Sequence, residues 1–145
     1  MNVILRILGK QYYEGQDPDR IELVTEGVMC HKKEDTWILS YEESDLTGLK
    51  GARTIFRIQP GQISLGRTGA ARSRMVFQEG VTHESLYQVD VGTLLMSVCA
   101  QKIDWKLDES GGYVRVRYSI VIEQSVRGTV EYEILVEPKN EGAGA

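Results

Sequence analysis

Cysteine is scarce in this chain of 145 residues: there are two, Cys30 and Cys99, far apart in the sequence. Two distant thiols are no disulfide framework, so nothing in the composition calls for an oxidising compartment. Histidine is equally rare, with only His31 and His83, which leaves little material for imidazole-based catalysis or for a metal centre. No uninterrupted apolar run approaches the roughly 20 residues of a transmembrane helix. An excess of positive charge is also missing. Seventeen Lys and Arg stand against twenty-one Asp and Glu, a net charge of −4, which argues against a protein whose main business is coating nucleic acid. The first residues, Met-Asn-Val-Ile-Leu-Arg, have no basic segment ahead of the apolar ones, so they read as a first strand in a cytoplasmic protein rather than a signal peptide.

What is present is alternation. Val114, Val116, Tyr118, Ile120 and Ile122 are interleaved with Arg115, Arg117, Ser119 and Val121, a period of two. Val130, Tyr132, Ile134 and Val136 alternate with Glu131, Glu133, Leu135 and Glu137, so one face is oily and the other carries carboxylates. These runs predict a hairpin turning around Gln124 to Gly128. Turn residues divide the rest into extended segments at 2–13, 20–32, 35–43, 52–59, 62–69, 72–79, 81–90 and 93–107, and no stretch reads as a helix. Ten consecutive strands with short links predict an all-β protein, a closed antiparallel up-and-down barrel, because closure removes the exposed edges. The barrel is expected over residues 1–137 as a single domain. Residues 44–52 are the longest internal loop, and 138–145, with nothing larger than Ala among the apolar residues after Pro138, read as a frayed tail.

Polar residues that share the apolar parity should point inward. They include Tyr41 and Glu43 beside Trp37 and Leu39, Thr54 beside Phe56, Arg67 beside Ile63 and Leu65, and His83, Ser85 and Tyr87 beside Val89. Arg67 cannot give up its proton, and Glu43 is the one carboxylate in this set, so an Arg67–Glu43 pair is expected. Two readings follow. In one, the pair and its tyrosines are a self-satisfied plug; in the other, Arg67 anchors a ligand carboxylate or phosphate against a tyrosine wall.

The series Leu39-x-Tyr41-x-Glu43, Gly48, Thr54, Gly61, Arg67-x-Gly69, Phe77-x-x-Gly80, Tyr87 and Gly92-x-Leu94 resembles, in order and approximate spacing, the YwiB-like family of uncharacterised bacterial proteins. The resemblance implies a closed antiparallel barrel like that of the calycins and lipocalins, in the cytoplasm, and it names no reaction. Where the family pattern has a polar and an aromatic residue before its last glycine, this chain has Asp90 and Val91, a change that would enlarge an interior pocket.

Catalytic constellations are not found. Cys30 and His31 are neighbours on a strand and point to opposite faces; His83 and Ser85 share a face that Glu43 could approach, but polar residues near a strand start are far more often structural than hydrolytic. Short-spaced ligand pairs for a metal are missing too, as is the Gly-Lys-Ser/Thr of a phosphate loop, so no cofactor is expected. One charge feature rises above background: between Arg53 and Gln78 lie Arg53, Arg57, Arg67, Arg72 and Arg74 and no acidic residue. Parity places Arg53, Arg57, Arg72 and Arg74 outside, either balanced across strands by Glu22, Glu26, Glu131 or Glu133 or forming a dock for an acidic protein partner. Nucleic acid is disfavoured because no aromatic residue is interleaved there, and no membrane association is expected. The sequence therefore predicts a non-enzymatic barrel, monomeric or homodimeric, that binds a small anionic or amphipathic ligand through Arg67, Glu43, Tyr41, Thr54, Tyr87 and His83. The competing prediction is an interaction module working through its outer arginines.

Overall fold

The computed structural model describes residues 1–44, 50–89 and 92–139. The predicted loop tip at 45–49, the departure at Asp90 and Val91, and the tail from 140 onward lie outside the described residues. The ten strands are β1 (Asn2–Tyr13), β2 (Asp19–Lys33), β3 (Thr36–Glu42), β4 (Ala52–Gln59), β5 (Gln62–Gly69), β6 (Ser73–Phe77), β7 (Thr82–Val89), β8 (Gly92–Asp108), β9 (Gly111–Ile122) and β10 (Val126–Pro138). All pairings between strands are antiparallel, in the order β6-β5-β4-β3-β2-β1-β10-β9-β8-β7. Each strand pairs with its sequence neighbours except β6 with β7, and β1 pairs with β10 from Val3↔Pro138 to Tyr13↔Gly128. The C-terminal strand is thus held through Pro138, and the Lys139 amide donates to the Asn2 carbonyl at 2.9 Å.

This order is an up-and-down barrel that is nearly closed. Its two end strands, β6 and β7, face each other without a ladder. They are joined at one end by reciprocal bonds between Arg72 and Gln88, N···O 2.9 and 2.7 Å, and at the other by the Gln78–Val81 bridge of their turn. Between those bridges the wall has a seam. Among the described residues, no helix is long and apolar enough to cross a membrane.

The two-residue period places the core. Val3, Leu5 and Ile7 of β1, Val114, Val116, Tyr118 and Ile120 of β9, and Val130, Ile134 and Val136 of β10 are buried inside the barrel. Burying apolar side chains of this size contributes about 1.5–3 kcal/mol each, which is why parity is so strongly specified. β8 breaks the period once. A bulge between Ala100 and Lys102 shifts the register, so Met96, Val98 and Ala100 face inward before it and Leu107 is the buried residue beyond it. The extra residue lets a 17-residue strand bend with the wall.

Strand direction gives the barrel two ends. One collects the turns after β2, β4, β6 and β8 together with both chain ends. There Trp37, Ile58, Ile63 and Phe77 stand in adjacent registers across β3 to β6 and close the interior. The other end collects the connections after β1, β3, β5, β7 and β9, and there the interior is hollow.

Candidate functional site: a polar-walled lumen

The hollow is a cavity of about 400 Å³ running from the middle of the barrel towards its second end. Its floor is aromatic. Tyr118 of β9 borders the cavity and rests on Phe77, ring centroids 4.6 Å apart, while Tyr132 of β10 borders it and rests on Phe56 at 5.7 Å. Aliphatic walls come from Ile7, Leu23, Leu65, Met75, Met96 and Val130. Towards the rim stand Ile21 and Leu94, about two-fifths exposed. An apolar container with a few convergent polar groups is the usual build of a small-molecule site, and its volume lies within the ~300–1,000 Å³ such sites occupy.

Register explains how the polar groups converge. Tyr41 of β3 lies opposite Thr54 of β4, Thr54 lies opposite Arg67 of β5, and Arg67 lies opposite Ser73 of β6, so four polar side chains form one belt across the wall. Tyr41, Glu43, Arg67 and Tyr87 border the cavity. Thr54 is fully buried between Tyr41 and Arg67 rather than on the cavity surface. His83 stands elsewhere: it lies deeper on β7, opposite Val98, and its Nε2 donates to Gln78 Oε1 at 3.3 Å. Sequence reading passed over Gln11 and Tyr13 of β1, which also line the cavity, although they continue the inward odd parity of Val3, Leu5 and Ile7.

The expected Arg67–Glu43 ion pair is not formed; no nitrogen of Arg67 lies within 4.0 Å of the carboxylate. Arg67 enters the belt from β5 with Thr54 between it and Tyr41 of β3, and Glu43, just past the end of β3, sits one inward position beyond Tyr41. The carboxylate interacts instead with the Tyr41 phenol. Arg67 keeps a buried Nε with no hydrogen-bond acceptor, and the hydroxyls of Thr54, Ser73 and Ser85 are likewise buried without partners. All four lie on β4 to β7. Buried polar atoms without partners cost about 1–3 kcal/mol each, so a concentration of them on one wall is a departure from ordinary packing.

The phenols form the opposite pole. Burial pushes Tyr41 up to about 12; a hydrogen bond with the Tyr132 hydroxyl lowers it, and the Glu43 charge raises it further. Burial also holds Tyr118 and Tyr132 above the ordinary phenol value, and Arg67 pulls both in the opposite direction. Phenols this reluctant to ionise act as neutral donors and apolar walls at physiological pH.

Outside the barrel, the charges mostly satisfy one another. Arg115 meets Glu133 at 2.6 Å and Asp104 at 3.8 Å, and Arg117 meets Glu131 at 3.9 Å, along an outer groove of about 420 Å³ over β8, β9 and β10. The four outward arginines are therefore not balanced as the sequence suggested. Glu131 and Glu133 belong to β9 arginines, Glu22 to Arg20, and Glu26 to Lys139. Arg53 bonds Glu42 at 3.0 Å and Ser40 Oγ at 3.1 Å. Arg57, Arg72 and Arg74 have no carboxylate within 4.0 Å among the described residues. Cys30 and Cys99 are free thiols, and no three His, Cys, Asp or Glu side chains converge on a metal position among the described residues.

Comparisons with known proteins agree with this architecture. The uncharacterized beta-barrel protein YwiB of Bacillus subtilis strain 168 is 27% identical over 117 residues, covering 78% of this chain and 80% of that protein. The crystal structure of the ywiB protein from Bacillus subtilis superposes with a TM-score of 0.78 at 21% identity, over 92% of this chain and 90% of the other, which shows a shared fold. The sequence profile described as a domain of unknown function, DUF1934, matches residues 5–134, nearly the whole barrel, and the chain belongs to that family of YwiB-like β-barrel proteins.

Proposed function

We propose that this barrel is a non-enzymatic binding protein of the cytoplasm that holds one small anionic or amphipathic molecule in its lumen. Arg67 is the anchor, and Tyr41, Tyr87 and the aliphatic wall provide the apolar contact. The observation that carries this reading is the guanidinium itself: Arg67 borders a cavity of about 400 Å³ with a buried Nε that no protein acceptor fills. A guanidinium is always charged, and a ligand oxyanion would supply the missing acceptor, to which the flat fork can donate two bonds at once. Glu43 limits the choice, since its carboxylate on the same cavity disfavours a second negative charge deep in the lumen.

The test is a saturable titration with anilinonaphthalene sulfonate, an apolar monoanion whose fluorescence rises away from water. One equivalent should bind, Arg67→Met should weaken it at least tenfold, and Gly9→Leu, placed on the cavity wall, should block it. Native mass spectrometry of protein purified gently from its own cells should show a retained small molecule. No saturable binding, or equal binding by Arg67→Met, overturns the reading.

A further inference from the structure

The seam between β6 and β7 carries a second site. On the outer side of the wall, where those strands part, lies an open depression of about 440 Å³. Arg67, Thr68, Arg72, Ser73, Arg74 and Gln88 line it together with Gly69 and Leu86, and no carboxylate is among its described lining residues. Glu84 is the one acidic residue on β6 or β7, and it does not border the depression. Arg67 thus belongs both to this depression and to the lumen, one strand in from the seam, opposite Ser73 of β6.

Four observations converge. Arg72 and Arg74 make no ion pair among the described residues, whereas Arg53 of β4 and Arg115 and Arg117 of β9 find carboxylates. The Nε of Arg67 and the Oγ of Ser73 are buried without hydrogen-bond partners, and both residues line the depression. The stretch from Arg53 to Gln78 contains no acidic residue in a chain of net charge −4. Reciprocal backbone bonds between Arg72 and Gln88 fix the rim of the seam, so the main chain that carries these donors is held in place before a ligand arrives. Three guanidiniums, two hydroxyls and a carboxamide around one concavity suit a compact anion of more than one charge with several acceptor oxygens.

We propose that the β6–β7 seam is a binding site for the phosphate of a small phosphomonoester, held by Arg67, Arg72 and Arg74 with Ser73 and Gln88 as additional donors. A monoester carries about −1.5 to −2 charge at neutral pH, against −1 for a diester or a carboxylate, and three neighbouring cations favour the higher charge. This site goes beyond the lumen reading and shares only Arg67 with it.

The test is an amide NMR titration of the full chain with phenyl phosphate and, in parallel, dimethyl phosphate, each at matched ionic strength in chloride. Phenyl phosphate should shift the amides of 67–69, 72–74 and 86–88 saturably and bind at least tenfold more tightly than the diester. Arg72→Glu with Arg74→Glu, both exposed positions that leave the core untouched, should weaken phenyl phosphate at least tenfold while anilinonaphthalene sulfonate binding stays within twofold. Unsaturable or scattered shifts, equal binding of the diester, or indifference of the double variant overturns the seam site. Naphthalene sulfonate binding without phosphate binding defeats the seam site alone, whereas phosphate binding without naphthalene sulfonate binding defeats the lumen reading alone.

Discussion

The two ends of the barrel are built from the same alternating strands and differ in what the inward positions carry. At the closed end, Trp37, Ile58, Ile63 and Phe77 meet across adjacent strands with no polar atom among them except the indole nitrogen, and Ile58 and Ile63 are fully buried. At the open end, the inward positions of the same strands are Tyr41, Glu43, Thr54, Arg67 and Ser73, and a cavity replaces the packing. The difference shows a division of labour along each strand: one half supplies the stability that lets the other half carry unpartnered polar groups and empty volume.

The largest expected effect lies at the closed end. Ile58→Ala should destabilise the protein by about 2–5 kcal/mol in urea unfolding, because the site is fully buried and its neighbours cannot collapse into the space. A loss under 1 kcal/mol would erase the distinction between the ends. Glycines sharpen the contrast. A Cβ on Gly27 would stand 2.6 Å from the Ser40 carbonyl oxygen and 2.7 Å from Leu5 Cδ1, whereas one on Gly9 would meet only Tyr132 Cδ2, at 3.9 Å. Gly27→Ala should therefore cost about 1–3 kcal/mol through overpacking, and Gly9→Ala should be neutral or stabilising by up to about 1 kcal/mol. Similar thermal midpoints for the two variants would contradict the packed and hollow assignment.

Alkaline titration reads the phenols between the halves. The folded state raises the pKa of Tyr13, Tyr41, Tyr118 and Tyr132, in each case chiefly by burial. Their contribution to stability is complete below the unfolded value of 10 and is lost as pH rises through the folded values, about 12 for Tyr41. In that window the unfolded chain binds fewer protons, so stability should fall by up to about 1.4 kcal/mol per pH unit for each phenol. Absorbance of phenolate should show these four tyrosines ionising later than the other three; all seven titrating near pH 10 in folded protein would refute it. The smallest effect concerns Arg67→Met, which should leave unfolding free energy unchanged or raise it by about 1 kcal/mol, since it deletes a buried donor that has no acceptor. A clear loss of stability would show that Arg67 is structural.

Much of this was legible in the chain. The strands expected at 52–59 and 62–69 are found at those limits, and Tyr41, Glu43, Arg67 and Tyr87 do share one cavity, because a pleated strand sends every second residue to the same side. Parity failed where the chain stopped obeying it. The bulge after Ala100 inserts one residue into β8 and exchanges the faces beyond it, a slip that a composition of Gln101 and Lys102 does not announce. Parity was also silent on depth: it put His83 and Tyr87 on one face but could not say that His83 would bond Gln78 below the cavity. The partners of the outer arginines were misassigned for a related reason, since the pairing depends on which strands adjoin and in which register.

The sequence by itself determined ten strands, their inward and outward faces, and the segregation of arginine into the stretch between β4 and β6, because periodicity and charge are local properties of the chain. Only the tertiary structure decided that Thr54 would separate Arg67 from Glu43, that the lumen would be hollow at one end, and that the wall would part between β6 and β7. Those outcomes depend on register and closure, which are set by the fit of all ten strands together and cannot be read from any one of them.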